Sequence, residues 1–142
     1  MNATDEQDRI PCNKQRLLIV DDENAIRAVF SRVLSYGLPH CRIDLAVNGA
    51  EAVDAFRAIH HGLLLMDLKM PVMDGEEAFC QIRDICEKEG WEMPAVVFCT
   101  GYNPSEGIRK IVANSRVHCL LHKPVSNDVL LEALKSRLPD PG

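Results

Sequence analysis

No stretch of this 142-residue sequence is apolar for long enough to span a bilayer, and its first fifteen residues lack the hydrophobic segment of a secretory signal. Both absences predict a cytoplasmic protein with no membrane partner. A basic excess is missing too. Against 16 Lys and Arg stand 21 Asp and Glu, a formal net charge of −5, which argues against a nucleic-acid surface. No helix-turn-helix segment is legible either. The six cysteines, at 12, 41, 80, 86, 99 and 119, include no C-x-x-C pair, and no paired histidine spacing suits zinc. Several lie inside apolar runs, which predicts buried free thiols in a reducing compartment. There is no G-x-G-x-x-G and no phosphate-cradling glycine loop after the first apolar run, which counts against a nucleotide- or flavin-binding module.

What the sequence does hold is a regular alternation. With 46% hydrophobic residues it has material for one real core. Residues 1–15 are polar and aperiodic and read as a mobile tail. Arg16 to Val20 is a continuous apolar run, the pattern of a parallel strand buried on both faces. Ile26, Val29, Phe30, Val33 and Leu34 then recur at helical spacing up to Gly37 and Pro39. Cys41 to Val47 reads as a second strand, and Asn48 caps a second helix whose end carries His60 and His61. Leu63 to Met66 is a third strand. Asp74, with Glu77 three residues on, caps a third helix, followed by a polar turn over residues 87–92 that holds Trp91. Ala95 to Cys99 is a fourth strand. Asn103 and Pro104 are expected as cap and first residue of a fourth helix to about Asn114, loosened by Gly107 inside it. Val117 to Leu121 is a fifth strand, and Ser126 caps a last helix that buries Leu130, Ala133, Leu134 and Leu138. Five strand–helix units with short connections imply an α/β fold, a parallel sheet with helices on both faces. Residues 139–142 form a short tail.

In such a sheet every strand opens its C-terminal end on the same edge. Those ends carry Asp21 and Asp22, Asp67, Thr100 and Lys123. Each alone is unremarkable: paired aspartates cap helices, and a threonine before glycine is commonplace. Together they bring three carboxylates, a hydroxyl and an ammonium to one crevice. Crowded carboxylates repel, and a hard divalent cation such as Mg2+ relieves that, keeping room for water and phosphoryl oxygens. The threonine hydroxyl can donate to a phosphoryl oxygen and the lysine can pair with its charge. A carboxylate nucleophile flanked by a metal and a cation is equipped to form an aspartyl phosphate.

The segments Leu17-Leu-Ile-Val-Asp-Asp-Glu23, Met66-Asp-Leu-Lys-Met-Pro-Val-Met-Asp-Gly75, Thr100-Gly101 and Lys123-Pro124 resemble the receiver domain of bacterial response regulators. The resemblance covers about residues 16–138. It implies the flavodoxin-like, CheY-like three-layer α/β/α fold, with five parallel strands in the order 2-1-3-4-5. It also implies that Asp67 is the phosphoacceptor, and that Asp21, Asp22, Asp67 and the backbone carbonyl of Lys69 serve Mg2+, for which Mn2+ can substitute. Thr100 and Lys123 would engage the phosphoryl group. The implied partners are a sensor histidine kinase or phosphotransfer protein, and a downstream protein or output domain on the face of helix 4, strand 5 and helix 5, where a homodimer could also form. Such a domain turns over no external substrate beyond its own phosphotransfer and dephosphorylation. A phosphohydrolase of similar logic usually carries a second acid two residues after its nucleophile, where this sequence has Lys69.

One position departs from the family. Many receivers carry an aromatic residue three before the lysine, and here that residue is Leu120. The expected substitute for a ring-flip readout is a rearrangement of the Gly107 helix. Lys69 and Tyr102, two residues after Asp67 and Thr100, are large enough to obstruct a water attacking a phosphoryl group, unless both simply point to solvent. His60 and His61 are expected away from the strand-end edge.

Overall fold

The computed structural model describes residues 8–139. Ten elements alternate along the chain: β1 (Asn13–Val20), α1 (Asn24–Gly37), β2 (Arg42–Ala46), α2 (Gly49–Ile59), β3 (His61–Met66), α3 (Gly75–Glu89), β4 (Ala95–Thr100), α4 (Glu106–Ala113), β5 (Cys119–His122) and α5 (Asn127–Lys135). The strands pair in parallel, in the order β2-β1-β3-β4-β5.

Strand residues of alternating parity feed two separate cores, as the two-residue period of a strand requires. Leu18, Val20, Leu64, Met66, Val96 and Phe98 pack with Phe56, Phe79, Ile82 and Ile108 under α2, α3 and α4. Leu17, Ile19, Leu63, Leu65, Val97 and Cys99 face Phe30, Leu34, Leu130 and Leu134 from α1 and α5. Burial on both faces explains why β1, β3 and β4 read as unbroken apolar runs.

Capping set most of the helix starts. The side chains of Asn48, Asp74 and Ser126 accept from the backbone N–H three residues on, at 2.8, 2.8 and 3.2 Å. The fourth helix differs from expectation. Its cap is Ser105, which accepts from the Ile108 N–H at 3.1 Å, and Asn103 and Pro104 lie before it. Pro104 is buried, and it is the Ser105 hydroxyl, not the Asn103 side chain, that takes up a free N–H of the first turn.

Other boundaries move as well. The first strand starts at Asn13, not Arg16, because Asn13 pairs with His61 across a register shift. Residues 8–12 also have fixed partners: Ile10 bridges to Trp91, and the Cys12 N–H donates to the Glu92 carboxylate at 3.0 Å. Of the expected tail, residues 1–7 lie outside the described residues, as do 140–142 beyond the last helix. Helix α3 runs to Glu89 and stops at Gly90 in the left-handed region (φ 70°), so the expected polar turn is shorter. His60 ends α2 as a left-handed cap and His61 begins β3, fully buried. Trp91 is half-buried, stacking on His60 at 4.3 Å between ring centroids. All six cysteines are free. Burial pushes the Cys86 and Cys99 thiols up, to about 12 and about 11, which keeps them inert at neutral pH.

Candidate functional site

The sheet ladder continues one residue past three strands and holds the side chains that matter. The Asp21 N–H donates to Ala46 O (3.2 Å), the Asp67 N–H to Val20 O (2.9 Å) and the Lys123 N–H to Thr100 O (2.8 Å). Each of these residues is therefore set by strand hydrogen bonds, not by a free loop.

Their side chains converge. Oxygens of Asp21, Asp22 and Asp67 all lie within 4.8 Å of one another, the metal-competent cluster found among the described residues. Lys123 Nζ donates to Asp21 Oδ2 at 2.8 Å and sits 3.6 Å from Asp67 Oδ2. Asp21 also caps its own turn, accepting from the Glu23 N–H at 2.9 Å. Asp21 and Asp67 are 2% and 6% exposed, so their charges are poorly screened, whereas Asp22 faces solvent.

The electrostatics follow from this crowding. Burial lifts the Asp67 pKa above the ordinary aspartate value; Lys123 opposes the lift and the charge on Asp21 adds to it. Burial pulls Lys123 down, but its hydrogen bond to Asp21 and the charges of Asp21 and Asp67 outweigh that, so it holds its proton more tightly than a free lysine. Three carboxylates face one ammonium, and the surplus negative charge suits a hard cation with oxygen ligands.

Thr100 stands apart from that cleft. It is fully buried, and its hydroxyl accepts from the Tyr102 N–H at 3.2 Å. It lines a neighbouring cavity of about 390 Å³ with Leu68, Met70, Glu76, Ser105 and Ile108, while the acid cleft is lined by Asp22, Asp67, Gly101 and Lys123. Lys69 and Tyr102 meet at the rim they share: Lys69 Nζ lies 4.8 Å from the centre of the Tyr102 ring. Sequence reasoning named both residues but missed their contact. The available signal was that both sit two residues past the ends of neighbouring strands.

The histidines have structural partners. His60 donates from Nε2 to Glu92 O at 2.8 Å, and His61 Nε2 lies 2.8 Å from Asp44 Oδ2. Neither reaches the acid cleft. Leu120 pairs with Phe98 in the sheet and packs against the α3–α4 core, so no ring occupies that place.

A parallel five-stranded sheet of this order, with an acid cluster at its strand ends, defines a class that comparison with known proteins identifies. The family model described as the response regulator receiver domain matches residues 17–135, and the chain belongs to that family, the receiver domain of two-component response regulators. It is 35% identical over 123 residues to Two-component system protein A of Emericella nidulans, covering 85% of this chain and 17% of that protein. It is likewise 35% identical over 121 residues to the Positive alginate biosynthesis regulatory protein of Pseudomonas aeruginosa, covering 84% of this chain and 45% of that one. The chain thus spans less than half the length of these two relatives. Among solved structures, Vibrio cholerae chemotaxis protein CheY4 shares the fold with a TM-score of 0.69 at 22% identity, covering 87% of this chain and 98% of that one. A co-crystal structure from Saccharomyces cerevisiae, of the histidine phosphotransfer signaling protein Ypd1 with the receiver domain of its downstream response regulator Ssk1, matches with a TM-score of 0.71 at 29% identity, covering 89% of this chain and 87% of that one. No helix among the described residues is long and apolar enough to cross a membrane.

Proposed function

We propose that Asp67 accepts a phosphoryl group from a phosphohistidine of a sensor kinase or phosphotransfer protein. One observation carries this reading: a buried carboxylate, fixed by the strand ladder, is grouped with two further carboxylates and a lysine ammonium that also pairs with one of them. A carboxylate oxygen of Asp67 attacks phosphorus, the P–N bond breaks, and its electron pair returns to the imidazole. Asp21, Asp22 and Asp67, with the backbone carbonyl of Lys69, would hold Mg2+, or Mn2+ in its place. The donor set fits, being all oxygen and carrying more negative charge than Lys123 balances. Such an ion, when bound, supplies positive charge for the transferring oxygens.

The chain's own residues supply the rest. Lys123 pairs with the phosphoryl charge, and the Thr100 hydroxyl gives up the Tyr102 N–H to donate to a phosphoryl oxygen. Lys69 stacked on Tyr102 narrows the approach of water, which prolongs the aspartyl phosphate. The domain takes in β1 from Asn13, three residues before the expected start at 16, and runs to residue 138; it works in the cytoplasm and passes its state to a downstream protein or output domain through α4, β5 and α5, a face that can also join two copies. It acts on no external substrate.

Intact-mass spectrometry after incubation with acetyl phosphate tests this. One Mg2+-dependent phosphoryl adduct is expected, absent from Asp67→Ala, and decaying faster in Lys69→Ala and Tyr102→Ala. An adduct that persists in Asp67→Ala refutes the assignment, as does no adduct from either acetyl phosphate or a phosphorylated histidine phosphotransfer protein. Unchanged decay in both rim variants refutes the role of the Lys69–Tyr102 stack.

A further inference from the structure

Three features of the chain meet at a point none of the preceding roles uses. The first is Gly75, whose N–H donates to Leu68 O at 2.9 Å and whose missing side chain lets α3 begin directly against the Asp67 backbone; a Cβ there would run into Asp67 O. The start of α3 is thus seated on the acceptor segment. The second is Glu76, the next residue, whose Oε1 accepts from the Ser105 hydroxyl at 2.7 Å. Ser105 is the cap of α4, so one hydroxyl donates to Glu76 while accepting from the Ile108 N–H. The third is Gly107. Its interior position suggested a loosened helix, but the structure gives another reason for it: a Cβ there would collide with the Glu76 carboxylate. Glycine costs a helix about 1 kcal/mol relative to alanine, and at this position its bare Cα leaves room for the Glu76 carboxylate to stay beside Ser105.

We propose that Glu76 is a positioning residue, a latch from the acceptor segment to the start of α4 that holds the β4–α4 segment, and Thr100 with it, in the conformation described above. This deepens the phosphoacceptor reading and rests on it. The latch spans the wall of the cavity that Thr100 lines. Its carboxylate also lies at the amino end of α4, where negative charge is favoured. Segment 101–105 has Thr100 at one end and the latched Ser105 at the other, and its residues 101–103 are exposed. For Thr100 to turn toward Asp67 that segment must shift, and Ser105 resists as long as Glu76 holds it. In a domain with Leu120 in place of an aromatic ring, breaking this bond is the event that frees α4.

The test uses the full chain as wild type, Glu76→Ala and Glu76→Gln. Hydrogen–deuterium exchange of residues 105–113 is measured first, without metal or phosphodonor, and acetyl phosphate adduct formation with Mg2+ second. Loss of one hydrogen bond to a charged acceptor predicts roughly tenfold faster exchange in Glu76→Ala, confined to that segment, and faster adduct formation. Glu76→Gln keeps a carbonyl acceptor and should recover most of the wild-type protection. Wild-type exchange in Glu76→Ala overturns the latch; faster exchange throughout the fold also overturns it, marking a merely structural role. An unchanged rate of adduct formation overturns its coupling to the site. If the wild type itself takes no adduct from acetyl phosphate or from a phosphorylated histidine phosphotransfer protein, the phosphoacceptor reading has failed, and the exchange comparison alone still decides whether Glu76 holds α4.

Discussion

Replacing Asp67 by asparagine should stabilise the protein without metal and handicap it with metal. The carboxylate oxygens lie within 4.8 Å of one another, and at that limit a pair repels by about 3.5 kcal/mol at an effective dielectric of about 20. Lys123, at 3.6 Å, returns about 4.6 kcal/mol to Asp67, but it is already engaged by Asp21 at 2.8 Å. Two acidic neighbours and burial together therefore outweigh the one shared cation. The raised Asp67 pKa has the same sign. A carboxyl whose folded-state pKa lies above its unfolded value favours folding fully below the unfolded value, and loses that contribution as pH rises through the folded one. The wild type therefore carries this penalty on the alkaline side of the transition.

Asparagine keeps the shape and drops the charge, so the variant should gain about 1–2 kcal/mol in EDTA, allowing for solvent screening at Asp22. Saturating Mg2+ reverses the order. An ion at 100 times its dissociation constant stabilises the wild type by about 2.7 kcal/mol, and the variant, with one carboxylate fewer, by much less. Urea unfolding followed by far-UV circular dichroism, in EDTA and in MgCl2, reads both halves. A variant less stable than wild type in EDTA, or equal stabilisation of both by Mg2+, would refute this account of the cluster.

Two further outcomes concern stability away from the acids. Val72 is 81% exposed and sits at φ 70°, the centre of a three-residue turn closed by the Met73 N–H donating to Pro71 O at 2.8 Å. A β-branched residue there is strained by about 1–3 kcal/mol, and glycine returns about 0.5–1 kcal/mol of that through the unfolded chain, so Val72→Gly should gain about 1 kcal/mol in urea unfolding. Equal or lower stability would contradict it. His118 accepts the Val96 N–H at Nδ1 (3.0 Å), and burial, aided by the charge of Arg137, pushes its pKa down to about 4. The unfolded chain takes up that proton first, so stability present above pH 6.5 is lost as pH falls toward 4, by about 2–3 kcal/mol. His118→Gln, which can still accept, should flatten that part of the pH profile; parallel profiles would show that another group sets the slope.

The strand-end residues were legible because each closes a local pattern, an apolar run broken by a polar residue, and parallel topology then aligns the ends. Asp21, Asp67 and Lys123 needed nothing more. What escaped is tertiary. Asn13 to Gln15 look like tail because they are polar, and only pairing with β3 makes strand of them. Asn103-Pro104 carries a fair start signal, yet Ser105, two residues on, won because its hydroxyl also satisfies Glu76 from another helix. Lys69 and Tyr102 are 33 positions apart and meet only because β3 and β4 are neighbours. Trp91 falls in a stretch that reads as a polar turn, and nothing local signals that His60, from the end of α2, stacks on it.

The two sides of the site differ in how firmly they are built, and that difference decides where movement can occur. On one side Asp21, Asp67 and Lys123 are each tied into the sheet by a backbone hydrogen bond, and Gly75 packs α3 against the Asp67 backbone with no space to spare. On the other side α4 has eight residues and buries only Ile108, where α3 has fifteen and buries six. Displacing a buried acid would expose its hydrogen-bonded strand end and leave charge unpaired, at several kcal/mol. Shifting α4 costs one fully buried side chain, the partly buried packing of Ile111 and Val112, and the hydroxyl contact at its cap. A new anionic group on Asp67 would therefore be met by the β4–α4 segment coming to the acids, and the change would leave the site through α4. That ordering needs no aromatic ring at residue 120, because it follows from how unequally the two walls are anchored.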